Sequence, residues 1–400
     1  MEQLAKLVDK SLLQQDSGGR YAMHDLLRRF VSTRAQAHDL SAIAANHNVY
    51  YLDFLRRYEQ DLRGDAVDQA LAVVCTELDN IRRAWAWAVE HGRLDLLAAS
   101  AGALYLVCTM LGLWQEGTQL LEEAAASSVH LPIYQAGRAA PMRMTVLIEL
   151  AKLCVIGGDA VRLLQVAQRL VKLGRDSGLD QARAAGHWAW GQSNIAQARP
   201  KRGQRHLELA LRLAHHANAA SVRANVLFSL GKAAYFQGEN RRAQFWLEQA
   251  LTCYRQLDQR QEEADVLSTL SHVYQDDPVK VYQFTMQRLR LAQRAGRIID
   301  ELHALHRLTI LWLNVGEYAQ TRECCLQALR LAEQMNSSHH AQLFLDFLGL
   351  AYHYLGDDIT ALHYLERMAR LCKAAGDQRA LAYALHWCGQ VYLGRGELAN

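Results

Sequence analysis

One phrase returns along this chain at a nearly constant spacing, and it restricts the fold more than any other feature. Between Asn225 and Tyr254 a helical stretch carries Leu227, Leu230, Gly231 and Ala234. A Gly-Glu-Asn break follows at 238–240, and a second helical stretch carries Ala243, Leu247 and Ala250. Steps of 40 residues back from Gly231 reach Gly191 and Ala151. Forward, 40 residues reach Ser271, 38 more reach Thr309, and two further steps of 40 reach Gly349 and Gly389. Glycines recur in phase at the break: Gly158, Gly238, Gly316, Gly356 and Gly396. A two-helix hairpin cannot bury both of its apolar faces alone, so a phased series of them implies a stack that shares one core. Gly231 and Ala243 suit positions where helices approach closely, and Leu227, Leu230 and Leu247 fill the space between.

Leu-Gly within the first helix, Gly at the turn and small Ala in the second resemble the tetratricopeptide repeat. That likeness implies an all-α fold, a right-handed superhelix (α-solenoid) of about 40-residue helical hairpins. The usual repeat is about 34 residues, so 40 requires either helices longer by a turn or longer loops between repeats. Only 4 prolines in 400 residues, and half of the residues apolar, agree with an almost wholly helical chain. A net charge of +3 with both signs interspersed leaves no basic footprint for nucleic acid or anionic lipid. No apolar run reaches the ~18 residues of a membrane span, and Met1–Leu13 lacks the apolar core of a signal peptide. Eight cysteines without a C-x-x-C pair read as core-filling thiols of a reducing, cytoplasmic compartment. The adjacent Cys324–Cys325 is the one pair that suits a redox sensor.

The first 31 residues break the rhythm. MEQLAKLVDKSLL reads as a short helix running into a strand, Asp16-Ser17-Gly18-Gly19 as a hairpin tip, and Tyr21-Ala22-Met23 as the returning strand. A helix then opens at His24-Asp25, with Asp25 placed to favour its N-terminus. Helix, two-stranded wing and helix are the back half of a winged helix, and its front half would precede Met1. LVDKSLL and RYAMHDLLRRF resemble the winged-helix segment of the signal-transduction ATPases with numerous domains (STAND, or NB-ARC type). Met23-His24-Asp25 matches the Met-His-Asp motif of that family. The stretch from Glu77 to Ala88 resembles the E-x-x-N-h-R-x-A-h-x-W-A segment that follows the winged helix in bacterial regulators of this class, transcriptional activators among them. The resemblance implies that His24 contacts the phosphates of ADP in the parent protein, that a nucleotide-binding domain lies upstream in cis, and that oligomerisation accompanies activation.

The chemistry of such an ATPase is not encoded here. No G-x-x-x-x-G-K-[ST] occurs. Gly231-Lys232 lacks the first glycine, where Val226 stands, and Asp276-Asp277 follows a helix rather than a strand. No ATP or other cofactor is therefore expected on this chain, and no enzymatic activity; ADP or ATP belongs to the putative full-length protein. His303 and His306, three apart with Glu301 nearby, approach zinc spacing but lack a completing ligand, so no metal is expected. A recognition helix would lie before Met1, which disfavours direct DNA binding.

Three regions follow: 1–40, a partial winged helix with a small β-hairpin; 41–127, a helical adaptor with degenerate repeats; and 142–400, the repeat array, its last member truncated at Asn400. SVHLPIYQAGRAAP, 128–141, reads as the loop between the last two. In the repeat family the first helices line a concave groove. The groove positions lie three before, one after, and four to five after the small mid-helix residue. They select Trp188, Gln192, Phe228, Lys232, Tyr235, Phe236, Ser268, His272, His306, Asp346, His353, Tyr354, His386 and Gln390. Aromatic, histidine and amide side chains there suit a protein or peptide partner or a small-molecule inducer. The sequence thus reads as the sensor of a STAND-type regulator. A constitutive tetratricopeptide-repeat scaffold for protein–protein interaction is the alternative.

Overall fold

The computed structural model describes residues 2–15, 21–34, 37–64, 66–127 and 133–395. It opens with α1 (Glu2–Asp9), the strands β1 (Gln14–Gln15) and β2 (Tyr21–Ala22), and α2 (Asp25–Arg34). The strands pair antiparallel, Gln14 with Ala22 and Gln15 with Tyr21; the expected hairpin tip lies outside the described residues. Asp25 is the first residue of α2. His24 Nδ1 accepts from the first-turn Leu26 N–H at 3.3 Å.

Next come α3 (Ala37–Arg57), α4 (Glu59–Arg63), α5 (Val67–Thr76), α6 (Leu78–Glu90), α7 (Leu94–Met110) and α8 (Trp114–Ser127). Trp85 anchors this region: it is fully buried and its indole N–H donates to Leu120 O at 3.0 Å. Arg82 reaches from α6 to Glu116 at the start of α8.

The region read as a loop at 128–141 is for the most part helix. α9 runs Ile133–Ile156 and contains Pro141. Proline removes one intrahelical donor, and here it sits exposed with Thr145 Oγ1 donating to its carbonyl at 3.1 Å. α9 packs on both α7 and α8, and one apolar cluster extends from Leu52 to Leu230. The stack therefore runs on from the adaptor into the array.

The array continues as α10 (Ala160–Ser177), α11 (Asp180–Ala196), α12 (Pro200–His216), α13 (Ala220–Phe236), α14 (Asn240–Gln256), α15 (Arg260–Val273), α16 (Pro278–Arg294), α17 (Ile298–Asn314), α18 (Tyr318–Gln334), α19 (Ser338–Tyr354), α20 (Asp358–Ala375) and α21 (Gln378–Gly394). Helix length explains the 40-residue period: α11 to α14, α16 to α19 and α21 each have 17 residues. Three-residue turns join most of them. Nearly every turn contains one left-handed residue, at Gly158, Gly178, Ala198, Asn218, Gly238, Asp258, Gly296, Gly316, Asn336, Gly356 and Gly376. These stand 20 apart, except for one step of 38 from Asp258 to Gly296. Within that step α15 is three residues shorter than its neighbours and its following turn has no left-handed residue. Pro278 then opens α16, where its missing N–H costs nothing, and Asp277 accepts from Lys280 N–H at 3.1 Å. This accounts for the short repeat seen in the sequence.

Packing accounts for the small mid-helix residue. A Cβ on Gly231 would stand 2.6 Å from Leu247 Cγ, one on Gly191 2.7 Å from Leu207 Cγ, and one on Gly349 2.5 Å from Leu365 Cγ. Other repeats solve the same contact with different volumes. Thr309 faces Cys325, Oγ1 to Sγ 3.5 Å, and Ala151 and Ala167 are both fully buried at the equivalent positions.

Candidate functional site

Side chains from distant repeats meet only on the inside of a curved stack, and such meetings identify the concave face here. The helices before the array turn back onto it. Leu62 and Arg63 of α4 and Val67 of α5 line the same small cavity as Gln261 and Ala264 of α15 and Asp300 of α17. A Cβ on Gly296, in the turn before α17, would collide with Asp68 of α5. Residues some 200 positions apart thus close one side of the groove.

A polar network occupies this junction. Arg63 Nη2 donates to Glu59 Oε1 at 2.8 Å. Lys152 Nζ donates to Glu149 Oε1 at 3.0 Å and lies 5.0 Å from the centre of the Tyr105 ring. Glu149 and Lys152 are both buried. The Tyr105 hydroxyl is held protonated by burial and then by the negative charges of Glu262, Glu149 and Asp265, with Arg63 opposing. Tyr254, fully buried, donates to Asn225 Oδ1 at 2.8 Å and is raised by burial, Glu262 and Asp265. Enclosure by protein, then Glu262 and Asp300, push the Asp265 carboxyl up to about 6. Asp265 is nonetheless exposed to solvent, and that contact limits the rise.

The sequence reading did not select these residues, for a geometric reason. At about 100° per residue, positions −3, +1, +4 and +5 from the small residue share a sector about 100° wide. Positions −6 and −10 fall in the same sector once the helix is a turn longer. They add Asn225, Asp265 and Gln261. Arg63 and Tyr105 arrive by tertiary contact and have no repeat register to reveal them.

The sequence-selected residues divide into groups. Gln192, Lys232 and Phe236 come together in a cleft of about 180 Å³ with Val155, Gly158 and Ile195, at the turn end of α9, α11 and α13. Phe236 is 75% exposed. Phe228 lies under Lys232 Nζ at 5.4 Å and edge-on to Tyr254, and Tyr235 packs beside Phe236. Trp188 is buried, its indole N–H donating to Ser229 Oγ at 2.9 Å, so it acts within the core. His272 is exposed, with its pKa lowered by its enclosure and by Arg307 and Arg288; Ser268 on the same helix is half-buried. His306 is half-buried against Phe344 and Phe347. Asp346 is half-buried, its Oδ1 lacks a hydrogen-bond partner among the described residues, and burial pushes its carboxyl up to about 6. His353 bonds Asp358 at 2.7 Å, and Tyr354 stacks on Tyr318 at 4.7 Å. His386 and Gln390 are exposed at the far end.

Six cysteines are buried, Cys324 is half-buried and Cys75 is exposed. Burial pushes Cys325 up to about 12 and Cys324 to about 11, which disfavours thiolate chemistry at that pair. Glu301, near His303 and His306, accepts from Gln293 and Gln327 instead. Among the described residues no group of three or more His, Cys, Asp or Glu is placed to hold a metal ion, and no helix is long and apolar enough to cross a membrane.

No protein-family model and no curated protein matches the chain. Solved structures do. The apo form of RapI is similar over 74% of this chain and 82% of its own, with a TM-score of 0.59 and 10% identity. A signal transduction ATPase with numerous domains from Pyrococcus horikoshii, which has a tetratricopeptide repeat sensor, is similar over 98% of this chain and 59% of its own, with a TM-score of 0.53 and 13% identity. At these identities the likeness establishes the fold: a tetratricopeptide-like helical solenoid.

Proposed function

We propose that this chain is the non-catalytic sensor region of a STAND-type ATPase regulator. Its solenoid takes a peptide, protein segment or small-molecule signal on the concave face and so controls a nucleotide-binding domain in cis. The observation that carries this reading is the junction itself. Arg63, from a helix before the array, lines one small cavity with Gln261, Ala264 and Asp300 of the array, and its buried Nη1 has no partner among the described residues. A ligand on the face beside that junction touches both parts, and a signal acts only through different affinities for two arrangements. The likeness to the Pyrococcus protein spans nearly the whole chain, the opening helix–ladder–helix included, and supports the same reading. His24 has a compatible geometry. Its Nδ1 accepts from Leu26 N–H, which leaves Nε2–H free to donate to a phosphate oxygen.

The test starts from a displayed random-peptide library selected on the 400-residue chain. Selected peptides should lose binding in the Tyr235→Ala, His353→Ala double variant, with circular dichroism unchanged. Spin labels at Arg29→Cys and Gln283→Cys, in a Cys75→Ser background, should change separation when peptide binds. Binding that survives the double variant would sink the groove assignment. Binding with no change in separation would favour a constitutive scaffold, for which the outer cleft between α12 and α14, lined by Leu211, His215 and the 58% exposed Phe245, offers a surface.

A further inference from the structure

The near-neutral balance of the whole chain conceals a local excess. Residues 200–256, from the start of α12 to the end of α14, hold nine Lys and Arg against three Asp and Glu, although the 400 residues together carry only +3. The rest of the chain is therefore net negative. Arg242 is paired with Glu239, and Arg255 with Glu263. Lys201, Arg202, Arg205, Arg212 and Arg241 are exposed and in no ion pair among the described residues. Lys201 and Arg205, four apart, and Arg202 and Arg205, three apart, are like-charge neighbours that weaken a helix, so the fold itself gains nothing by gathering them.

These charges rim a cleft on the outer side of the stack. Leu211, Arg212 and His215 of α12 and Phe245, Gln249 and Thr252 of α14 line a space of about 790 Å³. The buried Leu227 and Cys253 lie at its floor, and Phe245 stays 58% exposed. Arg223 of α13 lines it too, and its buried Nε has no hydrogen-bond partner among the described residues. Lys201, Arg205 and Arg212 fall within about 40° of one another around α12, because four, seven and eleven residues are near whole turns. The basic rim thus continues past the cleft along the helix. The one carboxylate lining the cleft, Glu248, already accepts from the Tyr274 hydroxyl at 2.7 Å, and Glu208 on the rim accepts from Gln204 at 2.9 Å.

An apolar floor with a cationic rim selects a segment that brings apolar side chains and carboxylates together. Walls made of helices offer no free backbone groups to an extended strand, whereas a helix arrives with its own backbone bonds made. α14 has 17 residues, a wall about 25 Å long, so such a helix can lie along it for several turns. We propose that the cleft between α12 and α14 docks an acidic amphipathic helix of a partner protein, its apolar face on Leu211, Leu227 and Phe245 and its carboxylates on Arg205, Arg212 and Arg223. This surface lies outside the stack, and it serves whether or not the concave face takes a signal.

The test is fluorescence anisotropy of the 400-residue chain with a labelled peptide as long as α14, carrying Leu at every third or fourth position and Glu at the others. It should bind about tenfold more tightly than twins with Lys for Glu or Ser for Leu. Arg212→Glu and Phe245→Ala should each weaken it about tenfold with circular dichroism unchanged. Arg290→Glu, the same charge change at an exposed site on α16, should bind it as wild type does, and so should the Tyr235→Ala, His353→Ala variant of the concave face. No binding, equal affinity for either twin, or a loss in Arg290→Glu that matches Arg212→Glu would each overturn the proposal. A thymidine oligonucleotide that binds more tightly than the Glu peptide and displaces it would also overturn it, and would make the surface a nucleic-acid site instead.

Discussion

Replacing Gly231 by Ala should destabilise the protein when Leu247 is present and stabilise it when Leu247 is truncated. The new Cβ would stand 2.6 Å from Leu247 Cγ, 2.7 Å from Cδ2 and 3.3 Å from the Leu247 backbone nitrogen. Leu247 is fully buried, so it has little room to give way. Overpacking of this kind costs about 1–3 kcal/mol, against about 1 kcal/mol gained from the better helix propensity of alanine. Gly231→Ala should therefore lose about 1 kcal/mol net. Leu247→Ala alone should lose about 2–5 kcal/mol by opening a cavity. In the double variant the clash is gone and the propensity gain remains, so adding Gly231→Ala to Leu247→Ala should recover about 1 kcal/mol. The chain already contains this solution, in the fully buried pair Ala151 and Ala167. Stacked repeats can open locally, so the assay is native-state hydrogen exchange of the α13 and α14 amides in all four proteins. Additivity within about 0.5 kcal/mol, or stabilisation by Gly231→Ala in both backgrounds, would refute the close-approach argument.

Other outcomes follow from single residues. Ala198 holds a left-handed φ of 58° where most sister turns have Gly, Asn or Asp; Ala198→Gly should raise stability by about 1 kcal/mol, read as a shift in urea midpoint at unchanged slope. Asp346→Asn should stabilise the protein at pH 7.5. Burial raises this carboxyl from its ordinary 3.8 to about 6, so its charge costs stability above pH 6, and the cost fades as pH falls toward 3.8. At about 1.36 kcal/mol per pH unit the ceiling is about 3 kcal/mol, and a gain over wild type that does not shrink between pH 7.5 and pH 5 would contradict the assignment.

The hairpins and their order were legible in the sequence because close approach demands small residues at a fixed phase, as Gly191, Gly231 and Gly349 show. Whether 40 residues meant long helices or long loops was not. The left-handed residues that punctuate the helices every 20 positions are of several types, Ala198 among them, and one turn lacks such a residue altogether. Pro141 disguised the start of α9 as a loop, because proline in an exposed part of a helix reads the same in sequence as proline in a turn. The same register brings some of the groove offsets together. Offsets near the small residue selected Gln192, Lys232 and Phe236, which do meet in one cleft. The longer helices carry the same face to Asn225, Gln261 and Asp265, and the return of Arg63 onto the array is set by contacts about 200 residues apart that leave no local pattern.

The central claim is that the concave face, closed by α4, is where the ligand sits. Hydrogen–deuterium exchange of the 400-residue chain with and without a library-selected peptide tests it most directly. Protection should appear in α4 and in the inward helices α9, α13, α15 and α17, with little change in α12 and α14. Protection confined to α12 and α14, around Leu211, Phe245 and Thr252, would place the ligand on the outer face and contradict the account.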